Sequence, residues 1–401
     1  MKILQLYNRV PHPLHDGGAL AVHAMSLGLH EAGADVQLFC LNASRSWVAE
    51  NELPAFWKRN FRLQAHAVDT RLYPWSAAWN LLEGSSYHVS RFYNRRVADA
   101  LVQLLQREKF DIIQFEATFM GVYLPIIRQH SKAKVVLRAH NIDYRIWERL
   151  AAGSLQPLKK WYLGLQAARL KKFEEALYAA VDAVVAISEV DAAYIAQRTK
   201  AAVTVAPMGI APEKMPAASS WQTNHLPRCS FVASLDWQPN QEAVRWLHAE
   251  IWPAIRQKVA AGTCVVAGKN MPPAFADLAG NGLELLGFVP DAAQTMRENP
   301  LFLVPIRSGS GIRIKILEAL ALGLPVVSTT LGAEGLSVTH REQLWLADTP
   351  ATFAEAVAYL QAHPDEARAM GERGRLWVQK HFNRLEIGRS LLHFYRNLPA
   401  G

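Results

Sequence analysis

In this 401-residue chain, residues 307–336 (RSGSGIRIKILEALALGLPVVSTTLGAEGL) hold the residue types and spacings best suited to chemistry. Gly309 and Gly311 flank Ser310 in a turn that opens a helix carrying Glu318. That helix stops at Gly323, Pro325-Val326-Val327-Ser328 begins a short buried strand, and a turn with Gly332 and Gly335 follows. Glycines let backbone amides approach a ligand closely, and a helix N-terminus adds partial positive charge, so the unit suits a diphosphate. Glu318, one to two turns into the helix, is spaced to hydrogen-bond a ribose diol. Arg313 and Lys315 stand where the helix starts; a diphosphate in a partly closed cleft needs such cations, and a guanidinium can bind it bidentately. The glycines alone also fit a turn closing an ordinary αβ unit, and the two cations also fit a solvated helix end.

Three other segments carry candidates. Asp16-Gly17-Gly18 lies between a first strand and a helix, where amides can hold an anion without side chains, or simply form a tight βα turn. Arg138-Ala139-His140-Asn141 follows a strand whose carboxyl end should open into a ligand crevice, which makes His140 a functional candidate beside its structural reading. Gly287-Phe288-Val289-Pro290 follows another strand. Glu334, Asp236-Trp237 and Gly209 are weaker candidates. No Asp, Glu or His cluster has metal-ligand spacing.

These segments need a scaffold of repeated βα units. In the first half, Ile3–Tyr7, Val36–Leu41, Ile112–Phe115, Val135–Arg138 and Ala183–Ile187 read as strands. Ala19–Ala32, Tyr93–Gln106 and Pro157–Ala180 read as helices, while 44–86 is polar and Trp-rich with weak periodicity. After a Pro-, Ala- and Ser-rich stretch at 211–224 the pattern restarts, with strands at Ser230–Ser234, Thr263–Ala267, Leu283–Phe288, Leu301–Val304, 325–328 and Leu344–Ala347. Leu385–Leu398 is an amphipathic helix. Short apolar strands alternating with helices predict α/β folding around parallel, doubly wound sheets.

Length favours two domains, and a chain half hydrophobic and 19% charged is ordinary globular material. The three cysteines fit no metal spacing or disulfide framework, which points to a reducing compartment. No apolar run reaches the roughly 18 residues of a membrane span, so a cytoplasmic protein is expected. The net charge of +8 is uneven: residues 1–206 hold 25 Lys+Arg against 18 Asp+Glu, and residues 207–401 hold 18 against 17. Basic residues interleave with aromatics at 58–62, 91–96, 159–162 and 169–173, a composition that suits an anionic membrane surface as well as a solvated helix face. No nucleic-acid recognition motif accompanies the charge, and no G-x-G-x-x-G follows the first strand, which counts against a nicotinamide enzyme.

Taken together, the 307–336 signature resembles the donor site of the retaining glycosyltransferases of family 4, which use nucleotide-diphosphate sugars. The likeness is strongest at 301–336, good at 1–33, 135–149 and 183–210, and weak at 44–95. It implies the GT-B architecture: two Rossmann-like domains facing across a cleft, with a C-terminal helix crossing back to the first. The acceptor domain would be 1–206 with 385–401, and the donor domain 207–384. The resemblance places Gly17 and Gly18 near the donor phosphates, His140 by the transferred sugar or leaving phosphate, and the Phe288-Val289 backbone at the nucleobase. Asn141 stands where relatives often have Asp, so no proton-transfer role is assigned to it.

Glu318 matches the second glutamate of the family's E-x7-E pattern; the first position is Ser310, so Ser310 and the Gly309 and Gly311 amides would have to replace it. The family's phosphate-binding Arg and Lys are missing from 233–240, and Arg313 with Lys315 would take over. The implied reaction is metal-independent and cofactor-free hexosyl transfer to a saccharide or lipid-linked saccharide in cell-surface polysaccharide or glycolipid assembly. Positions 44–95 would set acceptor choice. A GT-B epimerase or hydrolase, and a noncatalytic nucleotide-sugar-binding protein, are the alternatives.

Overall fold

A computed structural model describes the chain except residues 15–16, 72–79, 81–85, 154–155, 212, 214, 217, 220, 310–311 and 400–401. The chain forms two compact units, Met1–Gly209 with Arg384–Gly401, and Ile210–Asn383.

The first unit is built on seven parallel strands: β1 (Lys2–Tyr7), β2 (Asp35–Ala43), β3 (Gln64–Val68), β4 (Ile112–Phe115), β5 (Lys134–Ala139), β6 (Ala183–Ala186) and β7 (Ala202–Val205). Their spatial order is β3-β2-β1-β4-β5-β6-β7. The chain winds one way from β1 and then the other way from β4, so the β1–β4 junction is a topological switch point, where ligands of open α/β sheets bind beyond the strand ends. Strands buried on both faces explain the near-continuous apolar runs: every residue of β4 and β6 is buried. One face packs Leu101, Ile113, Leu137 and Val184, and the other packs Ile3, Val22, Val36 and Val185.

The second unit repeats the plan with β8 (Arg228–Val232), β9 (Thr263–Ala267), β10 (Leu283–Gly287), β11 (Leu301–Val304), β12 (Val326–Ser328) and β13 (Trp345–Leu346). The order β10-β9-β8-β11-β12-β13 puts its switch point between β8 and β11. The helix Ile314–Ala321 buries Ile316, Leu317, Ala319 and Leu320 and ends where Gly323 takes a φ of 73°. The Gly323 and Leu324 amides donate back to the Leu320 and Ala319 carbonyls, the paired bonds of a Schellman cap.

The last helix, Arg384–Arg396, belongs to the first unit and lies on the helix Gly17–Glu31. Leu391, Leu392 and Tyr395 join the core there, worth about 1.5–3 kcal/mol for each large apolar side chain. Some elements were not expected from the sequence. Segment 44–86 contains the helix Ala55–Phe61, which buries Trp57 and Phe61, and the edge strand β3; β7 is a further unexpected edge strand.

Candidate functional site

The sequence candidates fall into two groups, one in each unit. In the first unit, β4 and β5 pair in parallel and deliver Glu116 and His140 just past their carboxyl ends. Glu116 has no exposed surface. It accepts hydrogen bonds from Gln5 Nε2 at 2.8 Å, Arg138 Nη1 at 3.1 Å and Gln114 Nε2, and meets His140 Nε2 at 3.0 Å. Gln5 and Gln114 are opposite one another on β1 and β4. Gln5 accepts from Ser26 Oγ at 2.6 Å, and Gln114 accepts from the Tyr395 hydroxyl at 2.6 Å. Arg138, also fully buried, donates from Nη1 to the Ala21 carbonyl of the first helix at 3.3 Å.

The electrostatics follow from this enclosure. Burial alone would raise the Glu116 pKa, but Arg138 and His140 outweigh it and hold the carboxyl below its usual value. Burial, and then Arg138, push the His140 imidazole down, against the opposing pull of Glu116. His140 Nε2 has two neighbours: Glu116 Oε2 at 3.0 Å needs a proton on Nε2, and Arg138 Nη1 at 3.3 Å would need a lone pair there. An ionised carboxylate can only accept, whereas Nη1 already donates to Glu116 and the Ala21 carbonyl, so the shorter contact assigns the proton to Nε2. Neutral His140 therefore keeps Nδ1 as an acceptor, chemistry that suits a sugar hydroxyl better than a phosphate. Gly17 and Gly18 are the first two residues of the helix Gly17–Glu31; Gly17 is exposed and Gly18 half-buried. Asp16 lies outside the described residues.

In the second unit, the turns after β8 and β11 meet. Gly309 has a φ of 94°, which favours glycine, and a Cβ there would also crowd the Trp237 ring at 3.0 Å. Ser308 Oγ donates to Glu242 at 2.5 Å and anchors the turn on the helix Gln238–Trp246. Arg313, 4% exposed, precedes the helix Ile314–Ala321, with its guanidinium 5.6 Å from the Trp237 ring. Burial lowers its pKa and the Glu334 carboxylate opposes that shift. Lys315 Nζ donates to Asn240 Oδ1 at 2.5 Å and lies 4.8 Å from the Phe231 ring. Its pKa is pushed down to about 7 by burial and then by Arg313, with Glu318 acting the other way. Ser310 and Gly311 lie outside the described residues.

Glu318 lines a pocket of about 520 Å³ together with Ala321 and Leu322 of its helix, and with Pro290 to Ala293, Met296 and Arg297 beyond β10. The structure thus brings Glu318 together with the Pro290 end of the 287–290 turn. Phe288, 71% exposed, and half-buried Val289 do not line that pocket, nor do Gly309, Arg313 and Lys315. The sequence reading missed Glu116 and Asn240. For Glu116 a signal existed: a carboxylate directly after a buried strand, with a glutamine inside the apolar run of each of two strands, Ile3–Tyr7 and Ile112–Phe115. Among the described residues no group of His, Cys, Asp and Glu is arranged to hold a metal ion, and no helix is long and apolar enough to cross a membrane.

Comparison with known proteins gives the family. Residues 15–214 match the model of Glycosyltransferase Family 4, and residues 227–363 match Glycosyl transferases group 1. The chain is 22% identical over 170 residues to an uncharacterised 44.6 kDa protein of the Klebsiella pneumoniae cps region, covering 40% of this chain and 44% of that protein. It is 30% identical over 119 residues to the putative colanic acid biosynthesis glycosyltransferase WcaL of Escherichia coli, covering 27% and 29%. The chain thus spans less than half the length of these curated relatives. Its fold is similar to that of Anabaena HepE crystallised with UDP, at a TM-score of 0.65, 14% identity and coverage of 99% and 100%. HepE has also been crystallised with UDP-glucose. With both halves matched and two Rossmann-like sheets in place, the chain belongs to the group 1, family 4 glycosyltransferases and has the GT-B fold.

Proposed function

We propose that the protein transfers a hexose from a nucleotide-diphosphate sugar to a saccharide or lipid-linked saccharide, with retention of anomeric configuration, in cell-surface polysaccharide or glycolipid assembly. The observation that carries this reading is the pocket holding both Glu318 and the Pro290 turn, on the helix that Arg313 introduces. Glu318 would hold the ribose hydroxyls, and the turn after β10 the base. The HepE complexes with UDP and UDP-glucose make uridine the first base to try. Arg313 and Lys315 would meet the diphosphate, and His140 Nδ1 would accept from a hydroxyl of the transferred sugar.

Transfer with retention has a front-face route. The bond from the anomeric carbon to the diphosphate breaks, and the acceptor oxygen bonds to that carbon on the same face. The acceptor proton passes to the departing phosphate oxygen, so the products are a glycoside and a nucleoside diphosphate. Positioning and electrostatic stabilisation of the leaving group carry such a reaction without a protein nucleophile or a metal ion. An epimerase or hydrolase would instead require an acid–base pair; Glu116, fully enclosed and surrounded by donors, is poorly placed to be its base.

Thermal unfolding with UDP, GDP, ADP, CMP and NAD, on the wild type and on Glu318→Ala, tests the reading. One diphosphate at about 100 times its Kd should add about 2.7 kcal/mol to the wild type. That gain should vanish in the variant. No response to any diphosphate would sink the donor-site assignment. Undiminished donor affinity in Arg313→Ala would remove Arg313 from the phosphate clamp.

A further inference from the structure

Helices Asp143–Ala152 and Pro157–Ala180 form an αα-hairpin joined by the short link 153–156. Its root is fixed: the Glu174 carboxylate accepts from the Asp143 and Tyr144 amides, each at 3.1 Å, and from the Tyr178 hydroxyl at 2.6 Å. Tyr144, Ala151, Ala167 and Leu170 face inward and are buried. The end beside the link is different. Leu150 is 54% exposed, Leu158 83% and Trp161 60%, with Ile146 at 36%. Ile146 and Leu150 are four residues apart and Leu158 and Trp161 three, so each pair shares one helix face. At 1.5 Å of rise per residue, all four lie within roughly 10 Å of the link.

Cations outnumber acids at this apolar end. Between 146 and 163 the chain has Arg149, Lys159 and Lys160 against the single carboxylate of Glu148, and the longer helix has no acidic residue before Glu174. Arg145 lies nearer the root, its guanidinium 4.0 Å from the Tyr194 ring. Arg149, Lys159 and Lys160 are exposed. One helix ends here and the other begins, so their macrodipoles oppose one another and the positive field comes from side chains. We infer that this hairpin end docks on an anionic bilayer surface. Trp161, Leu158 and Leu150 enter the headgroup–acyl boundary, while the lysines extend their stems along it and keep their charges among the headgroups. Lysine is depleted from the centres of protein–protein interfaces, whereas Lys with Trp is the composition of membrane–water interfaces; this favours a bilayer over a protein partner.

Docking does not depend on the transfer reading, and one experiment separates them. Wild type, Leu158→Ser/Trp161→Ser and Lys159→Glu/Lys160→Glu are sedimented with vesicles of pure phosphatidylcholine or with about a third phosphatidylglycerol, at low and physiological salt. The expected result is wild-type binding to the anionic vesicles only, weakened by salt. Partitioning should fall about tenfold or more in the apolar variant, and the preference for anionic lipid should disappear in the charge variant. Both variants should keep the wild-type melting temperature and nucleotide response, because the substituted side chains are exposed. Wild type left in the supernatant with anionic vesicles overturns the inference, as does binding that neither variant changes. Light scattering that shows a dimer broken by the apolar variant would also overturn it, by assigning this end to a second copy of the chain.

Discussion

Glu116 is a carboxylate with no exposed surface, and such a group stays ionised only where donors enclose it. Here those donors also decide what His140 can do. With Arg138 close by, a proton on His140 would put a second positive charge beside it in a space that holds one carboxylate. The folded-state pKa of His140 lies below the ordinary value of 6.5. Between that folded value and 6.5 the unfolded chain binds a proton that the native protein does not. This group's contribution to stability therefore falls as pH drops from 6.5 toward the folded pKa. Nitrogen NMR of labelled histidine should show the neutral, Nε2-protonated form of His140 at pH 7; an imidazolium or an Nδ1-protonated ring would refute the assignment. Glu116→Gln leaves Arg138 buried without its counter-charge, and removing one partner of a buried pair costs about 3–5 kcal/mol. Chemical denaturation at pH 7 measures that loss, and a change under about 1 kcal/mol would show that other groups hold the arginine.

Among the elements, the last helix depends on glycine where it crosses the first. A Cβ on Gly388 would stand 2.1 Å from the Gly28 carbonyl oxygen, and one on Gly28 would stand 2.7 Å from the Arg384 carbonyl oxygen. Backbone atoms cannot yield as a flexible side chain does, so Gly388→Ala must push the helices apart. Overpacking of this kind costs about 1–3 kcal/mol, opposed by the better helix propensity of alanine. A lower melting temperature for Gly388→Ala, with Gly164→Ala (no atom within 4 Å of its Cβ) unchanged or slightly raised, is the expected pattern. Equal melting temperatures for the two would mean that the crossing relaxes freely. The effect should reach the site, because Tyr395 on the same helix donates to Gln114, which in turn donates to Glu116.

On the scale of the whole molecule, each unit has its own sheet and its own buried thiols: Cys40 in the first, Cys229 and Cys264 in the second. Burial pushes all three thiol pKa values up, so none offers a thiolate at neutral pH. Ellman's reagent should find no reactive thiol in the native protein and all three after denaturation; a thiol that reacts at once would show a local opening of its strand. The parallel, doubly wound class was readable because strands buried on both faces require continuous apolar runs, as in Ile112–Phe115 and Leu301–Val304. The edge strand Gln64–Val68 was not readable. Its Gln-Ala-His-Ala-Val sequence has little intrinsic preference for a strand, and pairing with β2 makes it one.

The glycine turn, the helix that follows it and Glu318 were legible because they are contiguous: local backbone geometry and helix period depend on neighbours in the chain. That Glu318 and Pro290 share a pocket depends instead on how sheet and helices fold back on one another. The same holds for the His140 cluster. Its members come from β1, β4, β5 and a helix whose Tyr395 is 281 residues from Gln114. Charge and desolvation act through distance in space, so only the tertiary structure could decide which proton His140 carries.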